Sequence, residues 1–244
     1  MVNTIESDYS VTIEPRIVVV GVGGAGCNVV SSIYKACSSV DTIAINTDKN
    51  ALLDSSADKK IFICKTVTKG EGTRGDARLG KKCAQVHEDE IRDAISGHDA
   101  AFIVAGLGGG TGTGAAAVIA DICNTLNVMT FVIAINPFSF EGSRVEVAAQ
   151  GLRSIRAVCP YVFPVENELV LNQIPDVTIN EAFDAVNRSI KATIDDMIDA
   201  IPVEMEDQIR KIHSSKSIKE KTEMDSKYRE YGLGGILAYY GMRI

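Results

Sequence analysis

A glycine-rich stretch near the middle of the chain restricts what this sequence can fold into. Residues 105–114 read Ala-Gly-Leu-Gly-Gly-Gly-Thr-Gly-Thr-Gly, with six glycines and two threonines in the last nine positions. The stretch follows an apolar run at 100–104, which is typical of a buried strand, and precedes an Ala-rich run at 115–120, which is typical of a helix start. A flexible linker would not be framed by two such elements.

The composition of this stretch favours anion binding. Glycine has no Cβ, so the backbone can adopt positive φ angles and bring its N–H groups close to an anion. The N-terminus of the following helix adds partial positive charge and unpaired N–H donors. Thr111 and Thr113 supply hydroxyls for phosphate oxygens or for the helix cap. The stretch therefore predicts a site for a di- or triphosphate.

A second glycine turn lies near the start of the chain. An apolar run at 16–20 is followed by glycines in the spacing of the dinucleotide fingerprint, at Gly21, Gly23 and Gly26. The next predicted strand begins at 41 and ends in the polar residues 46–48. In an enzyme that binds NAD, Asp48 would hold the ribose hydroxyls. This part of the chain alone fits NAD as well as it fits another nucleotide.

Predicted strands and helices alternate along the chain, with strands at 16–20, 41–48, 60–64, 100–104, 128–135 and 161–169. The alternation predicts an α/β fold: a doubly wound, mostly parallel sheet with helices on both faces. A long amphipathic helix is predicted from Asn180, as its N-cap, through Ile201. We divide the chain into an arm at 1–15, a nucleotide-binding domain at 16–201, and a charged segment with a terminal strand at 202–244.

Composition excludes several classes of function. The net charge of the 244 residues is −7, which provides no basic footprint for nucleic acid and disfavours anionic membranes. No apolar run reaches the roughly 20 residues that span a bilayer, and no signal peptide precedes the first strand. The six cysteines contain no Cys-x-x-Cys pair, so we expect reduced, buried thiols in a cytoplasmic protein, without disulfides or zinc.

The glycine stretch resembles the GGGTGTG signature of the tubulin and FtsZ superfamily. Other stretches resemble the family in the same order along the chain: the Asn-Thr-Asp at 46–48, the glycine loop at 69–76, and the Pro-Phe-x-x-Glu-Gly at 137–142. The resemblance implies an FtsZ-like cytoskeletal protein that binds GTP or GDP with Mg²⁺. It also implies self-assembly into head-to-tail filaments, because heterologous contacts generate open polymers.

Together with the glycine turns, the resemblance implies a set of nucleotide-binding residues. Asn167 and Asn187 would bracket guanine with Phe183 nearby, and Asn187 stands where FtsZ proteins carry Asp and tubulins Asn. Arg74 replaces a small residue and would add positive charge beside the terminal phosphate. No side chain is identified as a metal ligand. The full set is Gly23, Gly24, Asn28, Asn46, Asp48, Gly72, Thr73, Arg74, Gly106, Gly108, Gly109, Gly110, Thr111, Gly112, Pro137, Glu141, Arg144, Asn167, Phe183 and Asn187.

The sequence departs from the family after the long helix. FtsZ-like proteins carry an Asn-x-Asp-x-x-Asp loop there and continue into a second domain, and neither is recognised in this sequence. The carboxylates near the expected position are Glu204, Glu206 and Asp207. We therefore expect hydrolysis by this chain alone to be slow or absent, with these three residues as candidate replacements for the missing acids.

Two other functions remain open at this stage. One is a nucleotide-regulated binding protein that does not polymerise. The other is an NAD-dependent oxidoreductase, although a dinucleotide site does not need the second phosphate cradle at 106–114, and no catalytic Ser/Tyr/Lys or His/Asp set is evident. The predicted partner is another copy of the chain, and the sequence identifies no tether protein.

Overall fold

The computed structural model describes residues 15–36, 40–168 and 178–215, the last fourteen of these as backbone alone. Six strands form one sheet: β1 (Ile17–Val22), β2 (Val40–Asn46), β3 (Lys59–Phe62), β4 (Ala100–Gly106), β5 (Met129–Asn136) and β6 (Val162–Glu166). Their order is β3-β2-β1-β4-β5-β6, and every neighbouring pair is parallel.

Helices and one 3₁₀ turn, Ser139–Glu141, connect these strands. The helices are α1 (Gly23–Ile33), α2 (Lys49–Asp54), α3 (Lys65–Thr68), α4 (Ala77–Val86), α5 (Glu88–Ile95), α6 (Thr111–Thr125), α7 (Ser143–Arg156) and α8 (Ile179–Ser215). Because parallel strands must be joined by crossovers, the helices cover both faces of the sheet. The predicted doubly wound fold is confirmed.

Each face of the sheet carries its own hydrophobic core. On one face Val19, Phe102 and Ile133 pack with the buried sides of α1 and α8. On the other face Val20 and Ile103 pack with α4, α5, α6 and α7. Both sides of the central strands are therefore removed from water, which is why those strands read as continuous apolar runs and not as alternating ones.

Helix α8 differs from its prediction at both ends. It begins at Ile179 because Thr178 and Glu181 form a capping box: the Thr178 N–H donates to Glu181 Oε2 at 2.8 Å, and the Glu181 N–H to Thr178 Oγ1 at 3.3 Å. The Thr178 N–H and the Thr178 hydroxyl both donate to the Glu181 carboxylate and lower its pKa. The predicted cap at Asn180 and end at Ile201 were wrong. The helix continues past Pro202 to Ser215, although proline removes one backbone donor.

No helix in the described ranges combines the length and apolar character needed to cross a membrane. The predicted arm at 1–15 lies outside the described residues except for Pro15, and the predicted terminal strand lies outside them entirely.

The expectation that all cysteines are reduced was wrong for two of them. Cys64 and Cys83 form a disulfide, with their Cα atoms 5.2 Å apart. Their 19-residue separation gives no motif, and they meet because α4 packs beside the end of β3. Cys27, Cys123 and Cys159 are buried free thiols, and burial raises the pKa of Cys27 and of Cys123 to about 12. Cys37 lies outside the described residues.

Helices α4 and α6 pack backbone to backbone at glycine positions. A Cβ on Gly80 would overlap the carbonyl oxygen of Gly110, and a Cβ on Gly114 would overlap that of Ala77. Helix α4 is therefore held tightly against the beginning of α6.

This packing predicts opposite effects for two helical Gly→Ala substitutions. Gly80→Ala should lower the free energy of unfolding by about 1–3 kcal/mol, because the added methyl overpacks the α4–α6 contact. Gly24→Ala in α1 should leave stability unchanged or raise it by up to about 1 kcal/mol, since a Cβ there meets nothing within 4 Å. Urea unfolding without nucleotide measures both. Equal stability of the two variants would contradict the close packing.

Candidate functional site

A cleft of about 400 Å³ opens where the strands end at their carboxyl edge. Its walls come from the ends of β2, β4 and β5, from the first residues of α1 and α6, and from the α8 surface near Phe183. Crevices at this edge are where open α/β sheets bind ligands. The glycine turns of the sequence therefore meet in one place.

Two helix N-termini lie side by side at the floor of the cleft. Helix α1 begins at Gly23 and α6 at Thr111, and a Cβ on Gly23 would come 2.9 Å from the backbone nitrogen of Gly112. Neither first turn contains an acidic residue that would neutralise the helix dipole. The unpaired N–H groups of both helices form an anion-binding surface at this point.

The glycines of the floor have different roles. A Cβ on Gly109 would meet no heavy atom within 4 Å, so this residue faces open space in the cleft. A Cβ on Gly110 would overlap Thr73, so this residue is needed where the 69–76 loop packs on the cradle. Gly108 lies in the turn between β4 and α6, where its φ of +87° favours glycine.

The polar residues after β2 shape the next wall. Asn46 is buried, and its Oδ1 accepts the N–H groups of Thr47 at 2.8 Å and Asp48 at 3.1 Å. Asp48 caps α2 by accepting the Ala51 N–H at 3.0 Å. The hydroxyls of Thr47 and Thr111 share a hydrogen bond of 2.6 Å, which ties this turn to the start of α6. The turn is therefore held in place by its own side chains.

Two arginines line the cleft, each paired with a glutamate three residues earlier. Arg74 pairs with Glu71 in the loop before α4, where Arg74 adopts a φ of +50°. Arg144 donates to Glu141 Oε2 at 2.6 Å, while Glu141 Oε1 accepts the Phe138 N–H at 2.8 Å. With Asp48, the charged lining side chains are three carboxylates and two guanidinium groups.

The end of the cleft away from the helix N-termini can recognise a planar polar group. Asn167 is 3% exposed, and its Oδ1 has no hydrogen-bond partner although the residue lines the cleft. Phe183 and Asn187 line the same end from α8. The Phe183 ring packs edge-on against Phe138 with centroids 5.4 Å apart. An unpartnered buried amide oxygen is costly unless a ligand supplies a donor.

A polar clamp holds this end together. Glu168 accepts the backbone N–H of Ser139 at 2.9 Å and the Ser139 hydroxyl at 2.9 Å. Both donors lower the pKa of Glu168. The clamp joins the turn after β6, which carries Asn167, to the loop that carries Glu141.

Most of the residues expected at the site line this cleft. Three do not: Asn28 is exposed on α1, Thr73 is buried behind Gly110, and Gly108 forms the turn. Glu204, Glu206 and Asp207 belong to α8, but their side chains lie outside the described residues. Lining residues that sequence reasoning missed are Ala25, Ala51, Glu71, Leu107, Ile135, Asn136 and Val186. Among these, only Glu71 could have been recognised from the sequence, because it lies three residues before Arg74 and can pair with it.

Comparisons with known proteins agree on one family. A family model described as "Tubulin/FtsZ family, GTPase domain" matches residues 16–175. Cell division protein FtsZ 2 of Haloferax volcanii is 36% identical over 182 residues, which are 74% of this chain and 46% of that protein. The chain spans about half the length of the curated relatives it matches.

Solved structures give the same result. FtsZ of M. jannaschii, in a structure described as an empty dimer, superposes with a TM-score of 0.74 and 34% identity, covering 77% of this chain and 55% of that one. CetZ2 of Haloferax volcanii, described as a GTPγS-bound protofilament, gives a TM-score of 0.70 and 28% identity, covering 77% and 59%.

Two neighbouring glycines provide a test of the cleft floor. Gly109→Val should fold like the wild type yet bind phosphate-bearing ligands at least about tenfold more weakly, because its side chain fills space that is open in the cleft. Gly110→Val should lose stability as well, because its side chain overlaps Thr73. Isothermal titration with GTP and thermal unfolding separate the two effects. Normal binding by Gly109→Val would place the ligand elsewhere.

Proposed function

The chain belongs to the tubulin/FtsZ family, and from this premise we propose that it binds GTP and GDP in the cleft at the carboxyl edge of its sheet. The observation that carries the proposal is the convergence of the α1 and α6 N-termini on a floor of glycines. Fixed backbone donors next to open space suit a chain of phosphates.

The two ends of the cleft set the direction of the nucleotide. The phosphates would lie over the helix N-termini, and the base would lie beside Phe183 between Asn167 and Asn187. Guanine presents a ring N–H and an amino group side by side, and the unpartnered Oδ1 of Asn167 can accept from them. A base without matching donors would leave that oxygen unpaired, which is the source of selectivity.

Charge balance supports a requirement for Mg²⁺. The lining side chains carry one more carboxylate than guanidinium, and a triphosphate adds several further negative charges. Glu71 and Glu141 are engaged by arginines, and Asp48 caps a helix, so none of these carboxylates is free to serve as a dedicated metal ligand. Phosphate oxygens and water would therefore supply most of the Mg²⁺ ligands, as is usual for this ion.

The oxidoreductase alternative is disfavoured by the same geometry. A dinucleotide site needs one helix N-terminus for its pyrophosphate. This cleft has two, and the residues that line its other end, among them Phe183 and Asn187, include no further glycine turn for a second phosphate group. We therefore propose guanine nucleotide binding in preference to NAD binding. We also propose that the chain acts in the cytoplasm, where guanine nucleotides are found.

Head-to-tail assembly and slow hydrolysis complete the proposal. Helix α8 lines the cleft at Phe183, and Glu204 follows 21 residues later on the same helix. At 1.5 Å per residue the two are about 32 Å apart along the axis. The candidate acids are too far away to reach the cleft of their own chain, so they could act only on nucleotide held by another copy.

The base-recognition proposal predicts a selective loss in one Asn variant. Asn167→Ala should weaken GTP binding about tenfold and leave weak ATP binding unchanged, because it removes an acceptor for the base. Asn28→Ala, on an exposed position outside the cleft, is the matched control and should bind GTP normally. Equal affinities of the wild type for GTP and ATP would refute the guanine assignment.

The assembly proposal predicts filaments that persist. Addition of GTP and Mg²⁺ at high protein concentration should raise light scattering, with phosphate release well below that of an authentic FtsZ, because the family's acid motif is not recognised in the sequence after residue 201. Glu204→Ala, Glu206→Ala and Asp207→Ala are compared with Asp199→Ala, an exposed carboxylate on the same helix.

Each outcome of that assay has a distinct meaning. Robust turnover would refute the hydrolytic defect, and turnover lost in one of the three variants but retained in Asp199→Ala would identify the acid. GTP binding without any rise in scattering would instead support a nucleotide-regulated protein that does not polymerise.

A further inference from the structure

The disulfide between Cys64 and Cys83 encloses one wall of the cleft. Cys64 follows β3, Cys83 lies in α4, and both are buried. Their Cα separation of 5.2 Å lies within the range that a disulfide spans without backbone movement. The residues between them include Glu71, Gly72 and Arg74, all of which line the cleft.

The two ends of the enclosed segment are held unequally. On the α4 side, Gly80 packs directly on the α6 backbone. On the other side, β3 is a four-residue edge strand that pairs only with β2 among the described strands. The disulfide therefore joins the end of a short edge strand to a firmly packed helix.

The loop between these ends is attached at a few points and is otherwise exposed. Gly70 O accepts the Lys49 N–H at 2.9 Å, Thr47 O accepts the Gly72 N–H at 3.3 Å, Glu71 forms a bridge with Asp48, and Thr73 is buried against Gly110. Glu71 and the residues at 74–76 are exposed. Its backbone has positive φ angles at five positions: Lys69, Gly70, Gly72, Arg74 and Gly75. Segments with exposed residues and exposed hydrogen bonds open locally more readily than the core.

We propose that Cys64 and Cys83 are a redox modification site, and that their oxidation locks the 69–76 loop in its closed position. In the closed position this loop forms the cleft wall, so oxidation slows the release of bound nucleotide. The second statement rests on the proposed function, whereas the locking of the loop does not. Restricting a loop to its bound conformation strengthens binding by removing the cost of ordering it.

The chemistry needs only a disulfide co-reactant, such as oxidised glutathione. The Cys64 thiolate, formed when the loop opens, attacks one glutathione sulfur and expels a glutathione thiolate. The Cys83 thiolate then attacks Cys64 of the mixed disulfide and expels the second. Two electrons pass from the two cysteines to glutathione, and the two protons end on the glutathione thiols. A dithiol reductant reverses both steps.

The other described cysteines are poor competitors for this reaction. Cys27 and Cys123 are fully buried, with pKa values raised to about 12, and burial also raises the pKa of Cys159. Thiols of this kind remain protonated at neutral pH. Cys83 is buried as well, but it lies within disulfide distance of Cys64, whereas Cys27, Cys123 and Cys159 are free thiols. In the reducing compartment that the sequence favours, disulfides are usually reversible ones with a redox role.

The first experiment needs no nucleotide. The full chain is equilibrated with oxidised glutathione or with dithiothreitol, peptide mapping identifies the Cys64–Cys83 linkage, and hydrogen exchange is followed across 65–76. We expect the linkage to form and to slow exchange in this segment at least about fivefold. Absence of the linkage, or identical exchange in both states, would overturn the proposal.

The second experiment measures release of a fluorescent GTP analogue from the same two samples. We expect release to be about tenfold slower from the oxidised chain. Cys64→Ala and Cys83→Ala should release at the reduced rate in both conditions, while Cys123→Ala, a buried free cysteine, should respond like the wild type. Reduced wild type serves as the comparison if a variant fails to fold.

The two experiments separate the possible failures. Slower exchange with equal release rates would overturn the regulatory part. Slower exchange in a protein that binds no guanine nucleotide in either state would refute the proposed function and leave the redox lock standing.

Discussion

The structure depends on backbone-to-backbone contact at glycines. Helices normally stand away from their neighbours by the width of their side chains. Here a Cβ would overlap a carbonyl oxygen at each of several contacts: Gly26 with Val104, Gly112 with Gly106, Gly80 with Gly110, and Gly114 with Ala77. These contacts bring the N-termini of α1 and α6 together at one edge of the sheet. A larger residue at Gly26 or Gly112 would push a helix away from β4 and disperse the anion site, whereas one at Gly80 or Gly114 would disturb the packing of α4 on α6.

This arrangement assigns recognition of charge mainly to the backbone. Arg74 and Arg144 are each paired with a glutamate, and the charged side chains that line the cleft carry a small net negative charge. The helix N-termini are therefore the principal fixed source of positive potential near the floor. Backbone dipoles need no reorganisation when an anion arrives, because the packed helices already fix their direction. The paired arginines can still exchange a glutamate for a phosphate oxygen.

Local patterns in the sequence predicted the fold and the glycine floor of the cleft. Apolar runs and glycine turns identified the strands and their carboxyl ends, where Gly109 lies. Asn167 and Phe183, by contrast, were expected only from the family resemblance. Features that depend on packing were missed. Thr73 is in a loop that matches the family, yet its side chain turns behind Gly110, and Cys64 meets Cys83 only once α4 has docked.

The end of α8 was missed for a different reason. Pro202 follows directly after the last predicted helical residue, and proline commonly ends a helix. Apolar residues nevertheless continue the helical spacing of Ile201 beyond the proline, at Met205, Ile209 and Ile212. That periodicity was the available signal. The high charge of the segment left a solvated helix and a mobile segment as equal alternatives.

The length of α8 has a consequence for how a nucleotide could be used. Val186, Ile190 and Ile194 bury one side of the helix against the sheet, so its first part cannot move independently of the cleft that it lines. The part beyond Pro202 extends away from that cleft, and the missing backbone hydrogen bond makes this proline the point where the helix bends most easily. The site that binds and the segment that carries the candidate acids thus lie at opposite ends of one element. Under the proposed function, a complete catalytic site would therefore form only between copies of the chain, so any hydrolysis would be coupled to assembly.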